Sequence, residues 1–431
     1  MDGCHYSQIL LLVSLLCLSL LDALPARAQL KPGDTLGKEN WQAAKGLMPD
    51  PILRRFEDGS YRAKVIALPN TMNWSSKFTT ASATNAGKFS IDAEGSLIEN
   101  STQTYPPFLY GYPFPQLDSK DPQAATKAMY NFSYTLMQPD DADRFSNLHW
   151  VTPTALGRYA EFQGQILFYG SRFSGPIPNP YQTLRKLIIA GVAPYEVVGV
   201  VTLEWSYLDP KQWNSLWTFI PALKRVRVLN AANGSDGLFA SDLAHDDPYL
   251  FSGKVPYFTW KLVGARDALV PYTLPNPKLL RPVERGYELE SPLDLLAMGW
   301  DTPGWTGKAW WPTNYNLVTR PVWVVEATAK DSQYAYSRQV LWIDRELYIG
   351  YYKEAYDRDG QLWRVILNSV SLGQTANGDF SIAQPDFTLS VNELHNRATV
   401  ELPLKPGQRL AFDVGLTEEL FTLSELMKRG K

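Results

Sequence analysis

The chain has 431 residues and 45% hydrophobic content, enough to bury a core in one large domain or two smaller ones. Its formal net charge of −3 gives no basic footprint, so we expect no nucleic acid partner. Aromatic residues make up 13% of the chain, a content typical of β-rich proteins. An aromatic-lined pocket or a glycan-binding surface is the alternative interpretation.

The first 28 residues have the layout of a secretory signal peptide. The apolar run over residues 9–21 is shorter than the roughly 20 residues that span a bilayer. It leads to Ala26-Arg27-Ala28, a small-residue cleavage site, so we predict an exported chain that begins at Gln29. Cys4 and Cys17 both lie in this leader, which leaves the mature chain without a thiol or a disulfide. Lipidation of Cys17 is the alternative, although the leucines before it are bulky for a lipoprotein signal.

Residues 29–155 are predicted to form helices and irregular segments. Helical signals lie between Gln29 and Phe56, where Asp50-Pro51 places a capping residue before a first-turn proline. Residues 70–118 are rich in Asn, Thr, Ser, Gly and Pro and are predicted to be irregular. A second helix is predicted to begin at Asp121-Pro122. Its apolar stripe consists of Ala125, Met129, Phe132 and Leu136.

From residue 156 the hydrophobic period changes to two, which is typical of β-strands. Two alternating runs are centred on Leu203 and Trp260. Further strand candidates are 160–173, 216–220, 322–329, 337–343, 348–356, 362–370, 387–392 and 398–402. Turns such as Asp357-Arg358-Asp359-Gly360 predict antiparallel pairing of these strands. A last helix follows Thr422, which forms a capping box with Glu425.

This order of elements predicts an α+β fold. A large curved antiparallel sheet, an open or half β-barrel, would wrap around a few helices that cover its apolar face. The predicted organisation is a signal peptide over 1–28, helices and an irregular segment over 29–155, and the sheet with its C-terminal helix over 156–431. We expect 29–431 to form one structural domain.

A strand, a proline turn, a second strand and an acidic loop form the most informative motif. The chain turns at Pro221 in Trp217-Thr-Phe-Ile-Pro-Ala-Leu-Lys-Arg-Val-Arg-Val228, and Arg225 and Arg227 then alternate with valines that we expect to face the core. The loop Ser241-Asp-Leu-Ala-His-Asp-Asp247 follows, with Asp242, Asp246 and Asp247 as its acidic residues. This motif resembles the signature of the outer-membrane lipoprotein-sorting superfamily, the LolA-like periplasmic carriers.

Other segments resemble a larger, uncharacterised branch of that superfamily in Gram-negative bacteria. They are Tyr257-Phe-Thr-Trp-Lys-Leu-Val-Gly264, Arg320-Pro-Val-Trp-Val-Val-Glu-Ala327 and Trp342-Ile-Asp344. The resemblance implies a periplasmic carrier or chaperone that binds a hydrophobic small molecule or a lipid. It also implies an inner-membrane transporter and an outer-membrane barrel protein as partners.

We expect a cavity in this fold because a long sheet has more apolar face than two short helices can cover. The predicted lining combines the two alternating strands with the stripe of the second helix. These residues are Val201, Leu203, Trp205, Phe258, Trp260, Leu262, Met129 and Phe132. A filled interior would instead indicate an interaction protein that carries no ligand.

No sequence motif marks a catalytic centre, and we expect no catalytic residue, metal or cofactor. The patterns H-E-x-x-H and G-x-S-x-G and the phosphate-binding loops are absent from the sequence. A cation bound by the acidic loop is the alternative to carboxylates that face Arg225 and Arg227. An envelope glycan-active enzyme is a further alternative, and it would use the Trp-rich loop 299–312 with a carboxylate pair. That loop could equally pack on itself.

The leader generates the first testable prediction. N-terminal sequencing of the exported protein should find Gln29 as the first residue, because cleavage follows Ala28. A mature chain that begins with an acylated Cys17 would contradict this prediction.

Overall fold

A computed structural model describes residues 30–229, 234–290, 296–402 and 408–431. The predicted leader lies outside these residues. The described residues form four α-helices: α1 (Asp50–Glu57), α2 (Ser76–Thr84), α3 (Ala124–Thr135) and α4 (Leu423–Arg429). The strands are β1 (Thr35–Leu36), β2 (Ala63–Val65), β3 (Phe89–Ile91), β4 (Leu97–Glu99), β5 (Asp141–Val151), β6 (Leu156–Phe168), β7 (Thr183–Ala193), β8 (Val201–Tyr207), β9 (Ser215–Ile220), β10 (Arg225–Leu229), β11 (Phe258–Tyr272), β12 (Lys278–Pro282), β13 (Tyr287–Leu289), β14 (Asn316–Ala329), β15 (Arg338–Asp344), β16 (Gly350–Tyr356), β17 (Leu362–Thr375), β18 (Ser381–Asn392), β19 (Arg397–Leu402) and β20 (Leu410–Phe412).

Eighteen of these strands form one large mixed sheet that does not close into a regular barrel. The longest antiparallel path runs in the order β11–β14–β15–β16–β17–β18–β19–β5–β6–β7–β8–β9–β10. Two short pairings are parallel, β2 with β14 and β12 with β17. The predicted α+β class is confirmed, and the parallel pairings are the departure from a purely antiparallel sheet.

The main core lies where α1, α2 and α3 cover one face of the sheet. The stripe of α3 supplies Ala125, Met129 and Phe132, each at most 2% exposed. These residues pack in one cluster with side chains of β11 and β14–β18. The predicted stripe is therefore confirmed, and its burial explains why a helix forms here without a side-chain N-cap.

A second apolar cluster lies on the other face of β6–β9, under α4. Val201, Leu203 and Ile188 pack there against Phe421 and Leu426, and all five side chains are fully buried. The helix begins as the sequence predicts, because the amide of Glu425 donates to the Thr422 hydroxyl at 3.2 Å. The short C-terminal helix thus covers a part of the sheet that the other helices do not reach.

The structure corrects several predicted elements before residue 156. Of the helical region predicted between Gln29 and Phe56, only the end becomes α-helix, with Asp50 as its first residue and no side-chain cap. Residues 70–118 contain α2 and the hairpin of β3 and β4. The sheet begins before residue 156, because β5 pairs with β6 and β19. The period-two hydrophobic pattern did not predict β5, because Asp141 and Asp143 are buried at positions where apolar residues would be expected.

The motif strand β10 lies at an edge of the described sheet. Among the described residues it pairs with β9 alone, and the turn at Pro221 connects the two strands. Val228 is 76% exposed, and Arg225 and Arg227 are exposed as well. Only Val226 contacts the cluster under α4. The prediction that both valines face the core is therefore wrong.

The cluster under α4 generates a prediction about stability. Leu426→Ala should lower the free energy of unfolding by about 2–5 kcal/mol, because it leaves a cavity among buried side chains. The matched control is the next residue, Met427, which is 42% exposed. Met427→Ala should change stability by no more than about 0.5 kcal/mol. Equal effects of the two substitutions in urea unfolding would show that α4 does not seal this cluster.

Candidate functional site

A cavity of about 130 Å³, the central cavity, lies between the end of α3 and the strands β7 and β8. Tyr134 and Met137 line it from the helix and the residues that follow. Arg185 and Ser206 line it from the sheet, and residues 251–256 form the opposite wall. Most of the lining is apolar or aromatic, which is typical of ligand pockets.

Three further cavities share walls with the central cavity. Spaces of about 150 Å³ and about 90 Å³ lie along the same face of the sheet, and both share Arg185 and Ser252 with it. A space of about 390 Å³ lies beyond Gly253 and Lys254, which it shares with the central cavity. Residues 248–256, the wall segment, therefore contribute to the walls of all four spaces.

The face of β8 that lines the cavities is the opposite of the predicted one. Thr202, Glu204 and Ser206 line the cavities. Val201 and Leu203 point to the cluster under α4, and Trp205 donates its indole N–H to the Phe421 carbonyl at 3.0 Å. Alternation along a strand identifies two faces but does not show which face meets which helix.

The other predicted cavity residues belong to the main core. Phe258, Trp260, Met129 and Phe132 are buried in that cluster, and Leu262 packs against it half-buried. Phe258 also lines the 390 Å³ cavity. The prediction that the two alternating strands share one face with the helix is therefore wrong, because their side chains enter two separate clusters.

A buried ion pair holds the wall segment against the sheet. Lys353 on β16 donates to Asp247 Oδ1 at 2.7 Å and to the Leu250 carbonyl at 3.2 Å, and both charged side chains are fully buried. Asp247 Oδ2 accepts from the Tyr336 hydroxyl at 2.9 Å and from the Ala244 amide at 2.7 Å. These hydrogen bonds hold Asp247 in place, so the ion pair sets the position of the wall segment that follows it.

The charge of Asp247 is maintained in this buried position. Burial alone would raise the pKa of its carboxyl group, but the charges of Lys353 and Arg364 outweigh burial and the pKa is lowered. Asp247 therefore stays ionised, and removal of its charge would leave buried cations without compensation.

The backbone of the wall segment is strained where Lys353 contacts it. Tyr249 has a φ of 59° and Leu250 a φ of 90°, in the backbone region that residues other than glycine rarely adopt. Each such residue costs on the order of 1–3 kcal/mol and persists only where its surroundings impose the conformation. Here the contact of Lys353 with the Leu250 carbonyl helps to impose it.

The other two motif aspartates also have protein partners. Asp242 receives two hydrogen bonds from Arg397, at 3.0 and 3.1 Å, and one from Asn392 at 2.7 Å. Asp246 accepts from the Tyr334 hydroxyl at 3.0 Å, and burial raises the pKa of its carboxyl group. Within the described ranges no group of three or more His, Cys, Asp or Glu residues could hold a metal ion.

Arg225 and Arg227 do not face the acidic loop. They lie exposed on the edge strand β10, whereas the loop carboxylates pair with Lys353, Arg364 and Arg397. The expected charge pairing of the loop is therefore real, but the cations that provide it come from the C-terminal half of the sheet. Nothing in the sequence pattern links residues that lie more than 100 positions apart.

Sequence reasoning missed the charged residues of the cavity region. The sequence did carry a signal for Lys353, because this lysine interrupts the apolar strand Gly350–Tyr356. The structure shows its side chain to be fully buried. Arg185 and Lys254 had none, because charged residues in a strand and in a loop usually face solvent.

The Trp-rich loop packs on itself and on α1. Trp310 and Trp311 are fully buried, and Trp311 stacks on Tyr61 with the ring centroids 3.7 Å apart. Trp300 stacks on His149, with the centroids 5.3 Å apart. Most of the aromatic surface that a sugar would need is thus used inside the protein.

The fold and the cavities define an α+β protein with several small, partly open cavities beside its sheet. The chain belongs to the family described as Protein of unknown function (DUF1329), and the match extends over residues 35–401. This membership confirms the uncharacterised branch to which the sequence motifs pointed. No curated protein matches the chain.

Three solved structures show similarity at low identity. An outer membrane lipoprotein-sorting protein domain, so designated, from Vibrio parahaemolyticus is 16% identical, with 70% of this chain and 97% of that one covered and a TM-score of 0.48. A DUF1329 family protein from Desulfovibrio piger is 16% identical, with 67% of this chain and 92% of that one covered and a TM-score of 0.44. A LolA superfamily protein from Nitrosomonas europaea is 13% identical, with 70% and 98% covered and a TM-score of 0.41.

The described helices are all too short or too polar to cross a membrane.

The buried ion pair generates a prediction about the wall segment. Asp247→Asn should lower the free energy of unfolding by about 3–5 kcal/mol, because it leaves Lys353 buried without its counter-charge. The matched control is Glu94→Gln, which breaks an exposed pair with Lys211 and should change stability only marginally. Urea unfolding followed by tryptophan fluorescence measures both. Similar losses for the two variants would show that the buried pair does not hold the segment.

Proposed function

We propose that this protein is a periplasmic carrier or chaperone that binds a hydrophobic ligand, a lipid or an acyl chain, in the central cavity. The observation that carries the proposal is the mostly apolar space between α3 and strands β7 and β8. The predicted signal peptide and the resemblance to LolA-like carriers support export to the periplasm.

The driving force for binding would be burial of apolar surface. Each buried methylene group contributes about 0.8 kcal/mol. Pockets for drug-sized ligands usually measure roughly 300–1,000 Å³. The central cavity of about 130 Å³ would hold only part of a long chain. A full acyl chain would therefore need the adjoining cavities, which become continuous once residues 251–254 move.

The proposed mechanism is physical rather than chemical. Loading would displace the wall segment, and release would follow its return or transfer to a receptor of higher affinity. We propose an inner-membrane transporter and an outer-membrane barrel protein as the donor and acceptor systems, as the resemblance implies. The inward packing of Trp310 and Trp311 gives no support to a glycan-active enzyme, which would need such rings at a surface.

Neighbouring residues on β8 allow a matched test of the cavity. Ser206 lines the central cavity, whereas Trp205 lies on the other face, so Ser206→Trp should fill the space and Trp205→Phe should not. We expect the native protein to bind phenylnaphthylamine, a neutral fluorescent probe, at micromolar concentration. Ser206→Trp should weaken this binding at least tenfold, and Trp205→Phe should leave it within twofold.

Displacement of the probe by a lipid extract is the second readout. Native mass spectrometry of protein purified from the periplasm should also find a co-purifying lipid. A native protein that binds no probe and carries no lipid would contradict the carrier function. Equal effects of the two variants would place the ligand outside the central cavity.

A further inference from the structure

We propose that the carried ligand is an amphiphile with an anionic head group, and that Lys254 and Arg185 bind this head group. The inference rests on the proposed function and specifies its ligand class. Both residues line the central cavity, whose lining contains these two cations and no carboxylate. An apolar space with only positive charge in its lining suits a tail joined to an anion.

Lys254 provides a half-buried cation without a strong counter-charge. Its ammonium group donates to the carbonyl oxygens of Asp209 and Gln212, so both acceptors found among the described residues are neutral backbone groups. Burial lowers the pKa of Lys254 to about 8, and the charges of Asp209 and Glu204 offset burial only in part. An anion placed beside this group would supply the missing charge.

Arg185 provides a second, incompletely paired cation. Its Nη2 atom lies 3.8 Å from Glu204 Oε1, and that oxygen also accepts from Ser206 at 3.1 Å and from Asn214 at 3.2 Å. Arg185 Nε is buried and has no hydrogen-bond acceptor in the described part of the chain. A buried donor without an acceptor is costly, and a carboxylate or phosphate oxygen would satisfy it.

The position of Lys254 also gives the ligand a direction. Lys254 stands in the wall segment, at the junction of the central cavity and the 390 Å³ cavity. On the side of α3 the central cavity is lined by Leu97, Tyr134 and Met137, which offer mostly apolar surface. The tail would therefore lie towards α3 and the head group beside the wall segment.

A fluorescent fatty acid and its methyl ester form a matched pair of probes. At pH 7 we expect native protein to bind parinaric acid at least tenfold more tightly than methyl parinarate. Lys254→Gln should weaken binding of the acid at least threefold, with Arg185 retaining the rest of the preference, and leave the ester unaffected. Lys254→Arg should keep the preference, and Lys261→Gln, which removes an exposed lysine of β11, should change neither affinity.

The pH dependence of the native protein is an independent readout. Affinity for the acid should fall between pH 7 and pH 9, because Lys254 loses its proton there, while affinity for the ester stays constant. Asp209 and Glu204 act on the charge of Lys254, Arg185 shares the central cavity with it, and Asp246, Lys330 and Asp331 share the 390 Å³ cavity. The ring of Tyr257, whose pKa is raised to about 12, lies 5.9 Å from the ammonium group. The pKa of Asp246, in the adjoining cavity, is also raised, and Asp246→Asn should retain the pH profile.

The outcomes separate this inference from the carrier function. If acid and ester bind equally at pH 7 and neither changes with pH, the anionic head group is wrong and the carrier function stands. If neither probe binds, the carrier function itself is wrong. Should Lys254→Gln fail to fold, the pH profile of the native protein decides.

Lysophosphatidate should displace the acid probe, and millimolar inorganic phosphate should not. Displacement by phosphate would show that the site binds a free anion instead of an amphiphile.

Discussion

The cavity region depends on one buried contact, the ion pair of Lys353 with Asp247. It joins β16, in the C-terminal half of the sheet, to the segment that closes the cavities along β6–β9. Because Lys353 also binds the Leu250 carbonyl, the same ammonium group fixes a carboxylate and a strained turn. Asp242, through Arg397 on β19, fixes the preceding loop in the same way. The acidic motif therefore positions a wall of the cavities.

The second constraint is that this part of the sheet is covered on both faces. One face of β8 is covered by α4 and the turn before it, where Leu203 packs in one cluster with Phe421 and Leu426. The other face carries Thr202, Glu204 and Ser206 and meets the wall segment across the cavities. Polar strand positions thus line the ligand space together with apolar residues from α3 and the wall. This combination suits an amphiphile better than a purely apolar molecule.

The sequence predicted local features well because local interactions determine them. The Thr422 cap and the stripe of Met129 and Phe132 follow from spacing within one helix, and both are confirmed. Which face of β8 lines a cavity depends on where a helix more than 200 residues away docks, so a strand pattern of period two could not decide it. The partner of Asp247 could not be predicted either, since Lys353 lies 106 positions away along the chain and only the tertiary fold brings the two together.

The energetics of the wall explain how a closed structure could still accept a ligand. A buried ion pair contributes little net stability compared with apolar packing, although loss of one partner is costly. The strained residues Tyr249 and Leu250 cost on the order of 1–3 kcal/mol each, which opposes the closed position of the wall. Burial of six methylene groups would gain about 5 kcal/mol, and this gain acts in the same direction as the strain, against the closed wall. A ligand of ordinary chain length can therefore compete with the closed wall while the ion pair still determines where the wall returns.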